Sequence, residues 1–179
     1  MIKEQFAEED MFAASGNGYD CANCKARTDA TRTQVLTGTA PASIMLQLSR
    51  FEFNSRTMKA SKINAEVTDL EFLSLDFESS ERTTTREQYS LHAIIDHVGA
   101  SQRSGHYISY ARRINHLGRL EWFKFDDSVF TQVTRAEVLS SSRCTSEGTP
   151  HTPYILLYQR QKTATATSVA ESLTKRFKL

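Results

Sequence analysis

A histidine and an aspartate on neighbouring strand-like runs are the residues of this sequence best suited to chemistry. His106 opens the run His106-Tyr-Ile-Ser-Tyr-Ala111 behind Gly105, and Asp126 closes the run Trp122-Phe-Lys-Phe-Asp126. Imidazole titrates near neutral pH, so His106 can take a proton from a thiol and return it to a leaving amine. A buried carboxylate bonding Nδ1–H would fix the ring's tautomer and stabilise the imidazolium, which is the role open to Asp126. Asp127 is expected on the opposite face of the same strand, and so in a different role. Taken singly, His106 also reads as a half-buried strand histidine, and Asp126-Asp127-Ser128 as a turn. The signal lies in their combination.

Cys21-Ala-Asn-Cys24 has the spacing of one half of a tetrahedral zinc site. It follows Gly16-Asn17-Gly18, a turn signal. The third cysteine, Cys144, sits in a Ser/Thr/Gly stretch after the histidine and aspartate. No helix N-terminus is predicted there to activate its thiol, so it reads as a surface or loop cysteine. His92, His97, His116 and His151 show no ligand or base pattern and read as strand-surface or loop residues.

Several elements must position these groups. Ser43–Phe53 reads as a strand, buried on both faces at first and on one face later. Residues 78–87 contain no apolar side chain and read as a solvated loop. Tyr89–Val98 reads as a strand with Tyr89, Leu91, Ala93 and Ile95 on one side. Residues 99–105 form a flexible connection, and period two then places His106, Ile108 and Tyr110 on one face. A polar turn over 112–119 makes 106–111 and 120–126 an antiparallel hairpin. Trp122 anchors the strand that carries Asp126. Thr134-Arg-Ala-Glu137 is a capping box that should start a short helix through about Leu139. Residues 140–152 read as a loop, and 154–158 as the last strand.

The bulk numbers narrow the class. A chain of 179 residues with 39% apolar content can build a core, and a net charge of +1 gives no electrostatic footprint for nucleic acid. No apolar run approaches a membrane span, and the acidic N-terminus lacks a signal core. Three cysteines fit a reducing compartment, the cytoplasm or nucleus, better than a disulfide framework.

Gly105-His-Tyr-Ile-Ser-Tyr110, Trp122-Phe-Lys-Phe-Asp-Asp-Ser128 and Pro153-Tyr-Ile-Leu-Leu-Tyr158 occur in that order. Ile44–Phe53, Lys62-Ile-Asn64 and Tyr89–Ser101 precede them. Together they resemble the C-terminal, histidine-box part of the ubiquitin-specific proteases, over roughly residues 19–160. The resemblance implies a partial papain-like cysteine peptidase domain of α+β class. It would comprise mainly an antiparallel palm sheet and part of the zinc-bearing fingers, with the helical thumb missing. The partial domain would occupy 1–160, with the fingers cysteines near 19–30 and the palm and histidine box at 43–160. Residues 161–179 read as a disordered tail.

By the same resemblance His106 is the general base and Asp126 the third triad member. Asp127 is a second acidic position, which assists orientation or stabilises the intermediate in some members. Tyr107 lines the channel that holds the Gly-Gly tail of ubiquitin. The implied reaction is thiolate attack on the isopeptide carbonyl after ubiquitin's last glycine, with ubiquitin and ubiquitinated proteins as partners. No cofactor is required for that chemistry. A structural zinc on Cys21 and Cys24 would be completed by a second cysteine pair, which this sequence lacks.

The family's cysteine box, with the nucleophile and an oxyanion-hole asparagine, is not found in residues 1–20. Two readings follow: part of a working deubiquitinase, or a catalytically inactive ubiquitin-binding or regulatory module. A zinc-ribbon adaptor would account for the cysteines but not for the histidine box. If a missing segment normally covers the sheet, the chain exposes apolar surface and is expected to aggregate or to need a partner.

Overall fold

A computed structural model describes residues 9–101, 104–141 and 151–162, with β-strand as the main regular element. Cys144 and the tail beyond 162 lie outside the described residues. The chain divides into two units, residues 1–40 with 76–86, and residues 41–75 with 87–179.

In the first unit β1 (Glu9–Met11) pairs antiparallel with β4 (Ala30–Arg32). Between them, β2 (Tyr19–Asp20) and β3 (Arg27–Thr28) form a short hairpin whose turn carries both cysteines. Arg27 clasps Asp20 across it with two hydrogen bonds, from Nε at 3.0 Å and Nη2 at 3.1 Å. β5 (Leu36–Thr37) runs parallel to the end of β9 (Phe72–Glu78). The stretch expected to be a solvated loop is shorter than predicted. β9 reaches Glu78 and the long β10 (Thr84–Ser101) begins at Thr84, so only 79–83 turn. Arg86 closes on Asp76 with two contacts of 2.7 Å, and such cross-strand charge pairs keep an all-polar segment in a ladder.

The second unit is built on a sheet whose strand order is β13-β12-β11-β10-β14-β6. These are β13 (Val129–Val133), β12 (Leu120–Asp126), β11 (Ser104–Ile114), β10, β14 (His151–Arg160) and β6 (Ser43–Gln47). Neighbours along that path are antiparallel throughout. The predicted hairpin is present, with Tyr110 opposite Lys124 and Arg112 opposite Trp122. Its turn is tighter than predicted, because Asn115 Oδ1 accepts from the Leu117 and Arg119 amides and Gly118 takes φ 74°. The predicted capping box is complete. Thr134 Oγ1 accepts from the Glu137 amide while the Glu137 carboxylate accepts from the Thr134 amide, starting α1 (Arg135–Ser141).

Three sequence expectations need correction. Ser43–Phe53 is not one strand, nor is its start buried on both faces. β6 alternates, with Met45 67% exposed, and breaks after Gln47 before β7 (Phe51–Asn54), which pairs with β8 (Lys59–Lys62). Tyr89 and Leu91 share the buried face as expected, but the register against β14 shifts between Leu91 and Ala93. That bulge moves Ile94 and Asp96 inward in place of Ala93 and Ile95. Finally, the described parts of the expected flexible connection, 99–101 and 104–105, are strand. β10 and β11 stay paired to Ser101 opposite Ser104, and a Cβ on Gly105 would lie 2.2 Å from His97 Nε2. Only glycine fits that approach.

The core gathers Leu70, Leu73, Tyr89, Ile94, Ile108, Tyr110, Trp122, Val138, Leu156 and Tyr158. At the other extreme β13 ends the strand path with Val129 and Phe130 exposed, the latter against the rings of Phe123 and Phe125. No helix among the described residues is long and apolar enough to cross a membrane.

Candidate active site

His106 and Asp126 meet across the β11–β12 hairpin, as the spacing predicts. The contacting nitrogen is Nε2, which lies 2.6 Å from Asp126 Oδ1, not the expected Nδ1. With the proton held on Nε2 by the carboxylate, Nδ1 is left as the basic nitrogen, able to accept a proton from a nucleophile. Asp126 is also not buried: its side chain is 39% exposed and that of His106 43%. A second partner compensates. Lys124 Nζ lies 3.1 Å from Asp126 Oδ2, so each carboxylate oxygen has its own donor. The His106 hydrogen bond, and then that of Lys124, hold the Asp126 carboxyl below its ordinary value.

Asp127 does not point away. β12 ends at Asp126, and Asp127 takes φ 52°, in the left-handed region, before β13 returns with Val129 opposite Asp126. Alternation stops at such a turn residue, and its carboxylate swings back to the site. Ligand-type atoms of His106, Asp126 and Asp127 all lie within 4.8 Å of one another.

Tyr107 faces the other side of β11, opposite His97. The structure gathers Tyr107, His97, Phe51 and Tyr154 into one ring cluster, with centroids 5.0 Å apart for His97–Tyr107 and 5.8 Å for Phe51–His97. His97 is therefore a buried residue, not the surface histidine expected. Nothing in its own spacing signals this, because part of the cover comes from Phe51, far off in sequence. His151 is half-buried, and burial, then Lys124 and Lys62, lower its pKa.

Two further residues escaped the sequence reading. Arg50, between β6 and β7, is one of them. It is buried and donates from Nε to the Pro153 carbonyl at 2.8 Å and from Nη1 to the Ala65 carbonyl at 2.6 Å. Asp96 is fully buried, opposite Ile108 on β11 and Pro153 on β14, and neither of its oxygens has a hydrogen-bond partner. Burial pushes its carboxyl up to about 7, against the pull of Arg50 and Lys62.

In the first unit, Cys21 and Cys24 share the β2–β3 turn. The Cys21 amide donates to the Ala26 carbonyl at 3.0 Å, and Lys25 takes φ 57° to close the turn. Donors from the Cys24 amide, the Asn23 amide and the Cys24 thiol converge on Cys21 and lower its thiol pKa. Amides aimed at sulfur in this way favour a thiolate, the form that binds metal.

The comparisons with known proteins agree with this fold. The family model described as ubiquitin carboxyl-terminal hydrolase matches residues 10–158. Mouse ubiquitin carboxyl-terminal hydrolase 17-like protein D is 30% identical over 145 residues, which is 81% of this chain and 23% of that protein. The probable ubiquitin carboxyl-terminal hydrolase 16 of Schizosaccharomyces pombe is 31% identical over 150 residues, 84% of this chain and 29% of that one. The chain thus spans between a fifth and a third of the length of these relatives. Among solved structures, a chain of the yeast SAGA DUB module shares the fold with a TM-score of 0.66 at 22% identity. That match covers 90% of this chain and 32% of the other. The strand-borne His106–Asp126 pair thus lies inside the matched segment, and the chain belongs to the ubiquitin carboxyl-terminal hydrolase family.

Proposed function

We propose that this chain is the base-bearing part of a cysteine-type deubiquitinase, acting on the isopeptide bond after the C-terminal glycine of ubiquitin. The observation that carries the reading is the 2.6 Å contact of His106 Nε2 with Asp126, which leaves Nδ1 free to serve a nucleophile. His106 Nδ1 would take the proton of a cysteine thiol supplied from outside the described residues. The thiolate adds to the isopeptide carbonyl carbon, and the ring returns its proton to the leaving lysine amine as the C–N bond breaks. Water, deprotonated by the same nitrogen, then hydrolyses the thioester and regenerates the thiol. Asp126 keeps the ring in register and stabilises the imidazolium, and Lys124 holds the second carboxylate oxygen in place. Asp127 adds negative charge beside the ring, and Tyr107 with its ring cluster would line the path of the ubiquitin tail.

Cys21 and Cys24 would hold a structural zinc with two ligands from elsewhere, since such sites take four. The zinc would support the fold and take no part in the chemistry. The ring cluster also fits a second reading, in which this part of the protein binds ubiquitin without turning it over.

The test is to capture the native polypeptide from its source cells with an antibody against residues 163–179 and challenge it with a ubiquitin-based thiol-trapping probe. A species heavier than 179 residues that labels, and whose His106→Ala form loses on the order of a thousandfold in ubiquitin hydrolysis, supports the enzyme. A species of 179 residues that binds ubiquitin but neither labels nor hydrolyses sinks it in favour of the binding module.

A further inference from the structure

Away from the His106 end of the sheet, the second unit contains a cavity of about 250 Å³ whose walls include Arg112, Trp122, Phe72, Ser90, Arg135 and Glu71. Arg112 projects from β11 next to Trp122, its cross-strand partner on β12, and its guanidinium carbon lies 6.0 Å from the indole centroid. The Arg112 Nε is buried and has no hydrogen-bond partner. An arginine Nε–H drawn under cover without an acceptor forfeits a hydrogen bond that counts for more than a neutral one. Glu71, the acid on the cavity wall, pairs through Oε2 with Arg135, which leaves two guanidinium groups against one carboxylate. The local charge is consequently positive. His92, which precedes the Ala93–Ala111 pair of β10 and β11, has its pKa lowered by burial and then by Arg112 and Arg113.

We propose that this cavity binds a carboxylate carried on a flat apolar body. The guanidinium fork would take the two carboxylate oxygens, with the Ser90 hydroxyl beside it, while Trp122 and Phe72 cover the apolar part. Arginine matches a planar, bidentate acceptor, and stacking on indole fixes the plane of the fork. The volume admits a ligand of single-ring size. A free small acid and an acidic side chain next to an aromatic one in a polypeptide present the same chemistry.

Trp122 is the only tryptophan of the chain, so its fluorescence reads this cavity alone. The full 179-residue chain is titrated with 3-phenylpropionate, its uncharged amide, the capped dipeptide acetyl-Glu-Phe-amide and inorganic phosphate. A saturable change with a carboxylate, absent with the amide and weakened about tenfold in Arg112→Gln, is the expected result. Tighter binding of the dipeptide than of the free acid points to a polypeptide source, and the reverse to a small molecule. An equal response to the amide, no saturation in the millimolar range, or an equal response to phosphate overturns the proposal. Should Arg112→Gln fail to fold, Arg112→Lys keeps the charge and loses the fork, and the amide control decides independently of either variant.

Discussion

Asp126 and Asp96 flank the same strand, β11, and their surroundings push their carboxyls in opposite directions. Asp126 is open to solvent and has a donor for each oxygen, His106 at 2.6 Å and Lys124 at 3.1 Å, and its pKa falls. Asp96, opposite Ile108, is sealed from solvent without a hydrogen bond, and its pKa rises to about 7. Arg50 and Lys62 pull it back only partly. Both cations donate instead to backbone carbonyls: Arg50 through Nε and Nη1 to Pro153, Ile63 and Ala65, and Lys62 to His97 and Gly99. A neighbouring positive charge does not replace a hydrogen bond. What makes an aspartate a dependable anion here is direct donation to its oxygens, even at a wet surface.

The sharpest way to break this contrast is to remove acceptor character at the site. In the native polypeptide Asp126→Asn should cost on the order of a hundredfold in ubiquitin hydrolysis, because the amide can present N–H to the ring and favour the wrong tautomer. Asp127→Asn should cost on the order of tenfold, since it changes only the charge beside the ring. Steady-state rates at pH 7.5 separate the two, and equal losses would deny Asp126 its special position.

Asp96→Asn tests the buried partner. A carboxyl whose folded pKa lies above its unfolded value binds more protons in the folded state, so stability falls as pH rises from about 4 to about 7. The Asn variant lacks this loss. Its thermal midpoint should exceed that of the parent at pH 8, with the gap closing toward pH 5. A gap that does not change with pH would mean that Asp96 does not titrate in this window.

Lys124→Met sharpens the comparison from the exposed side. Asp126 would keep His106 and lose its second donor, so its carboxyl should titrate at higher pH in carbon-detected NMR, with Lys124→Arg restoring the parent value. The stability that Asp126 contributes is present above its unfolded pKa and lost as pH falls through the folded one; in the Met variant that loss begins at higher pH. The smallest effect is expected at Thr134→Ala, which removes the cap of α1 and should cost about 1 kcal/mol in denaturant unfolding.

The readable part of the site was the part determined locally. His106 and Asp126 belong to one hairpin whose two runs alternate cleanly around a polar turn, so pairing them needed no knowledge of the rest of the chain. Asp127 was misread because period two fails where a residue enters the left-handed region. The burial of Asp96 and His97 was not legible for a different reason. A bulge after Leu91 changes which side chains face inward, and part of the cover over His97 comes from Phe51. The choice of Nε2 over Nδ1 likewise depends on the approach angle between two strands, which no spacing encodes. The cysteine turn shows the reverse case. Its spacing announced a metal-type knuckle, and its amides do converge on Cys21, yet any further ligands are matters of partners that spacing does not reveal.

Arg50 has one more consequence. By gripping carbonyls at Pro153, Ile63 and Ala65, with its own carbonyl taking the Ile63 amide at 2.7 Å, it sews shut the base of the β7–β8 hairpin. On so fixed a base, a longer loop between Asn54 and Lys59 would add little entropy cost. One side chain thereby makes this stretch of the fold a port for growth.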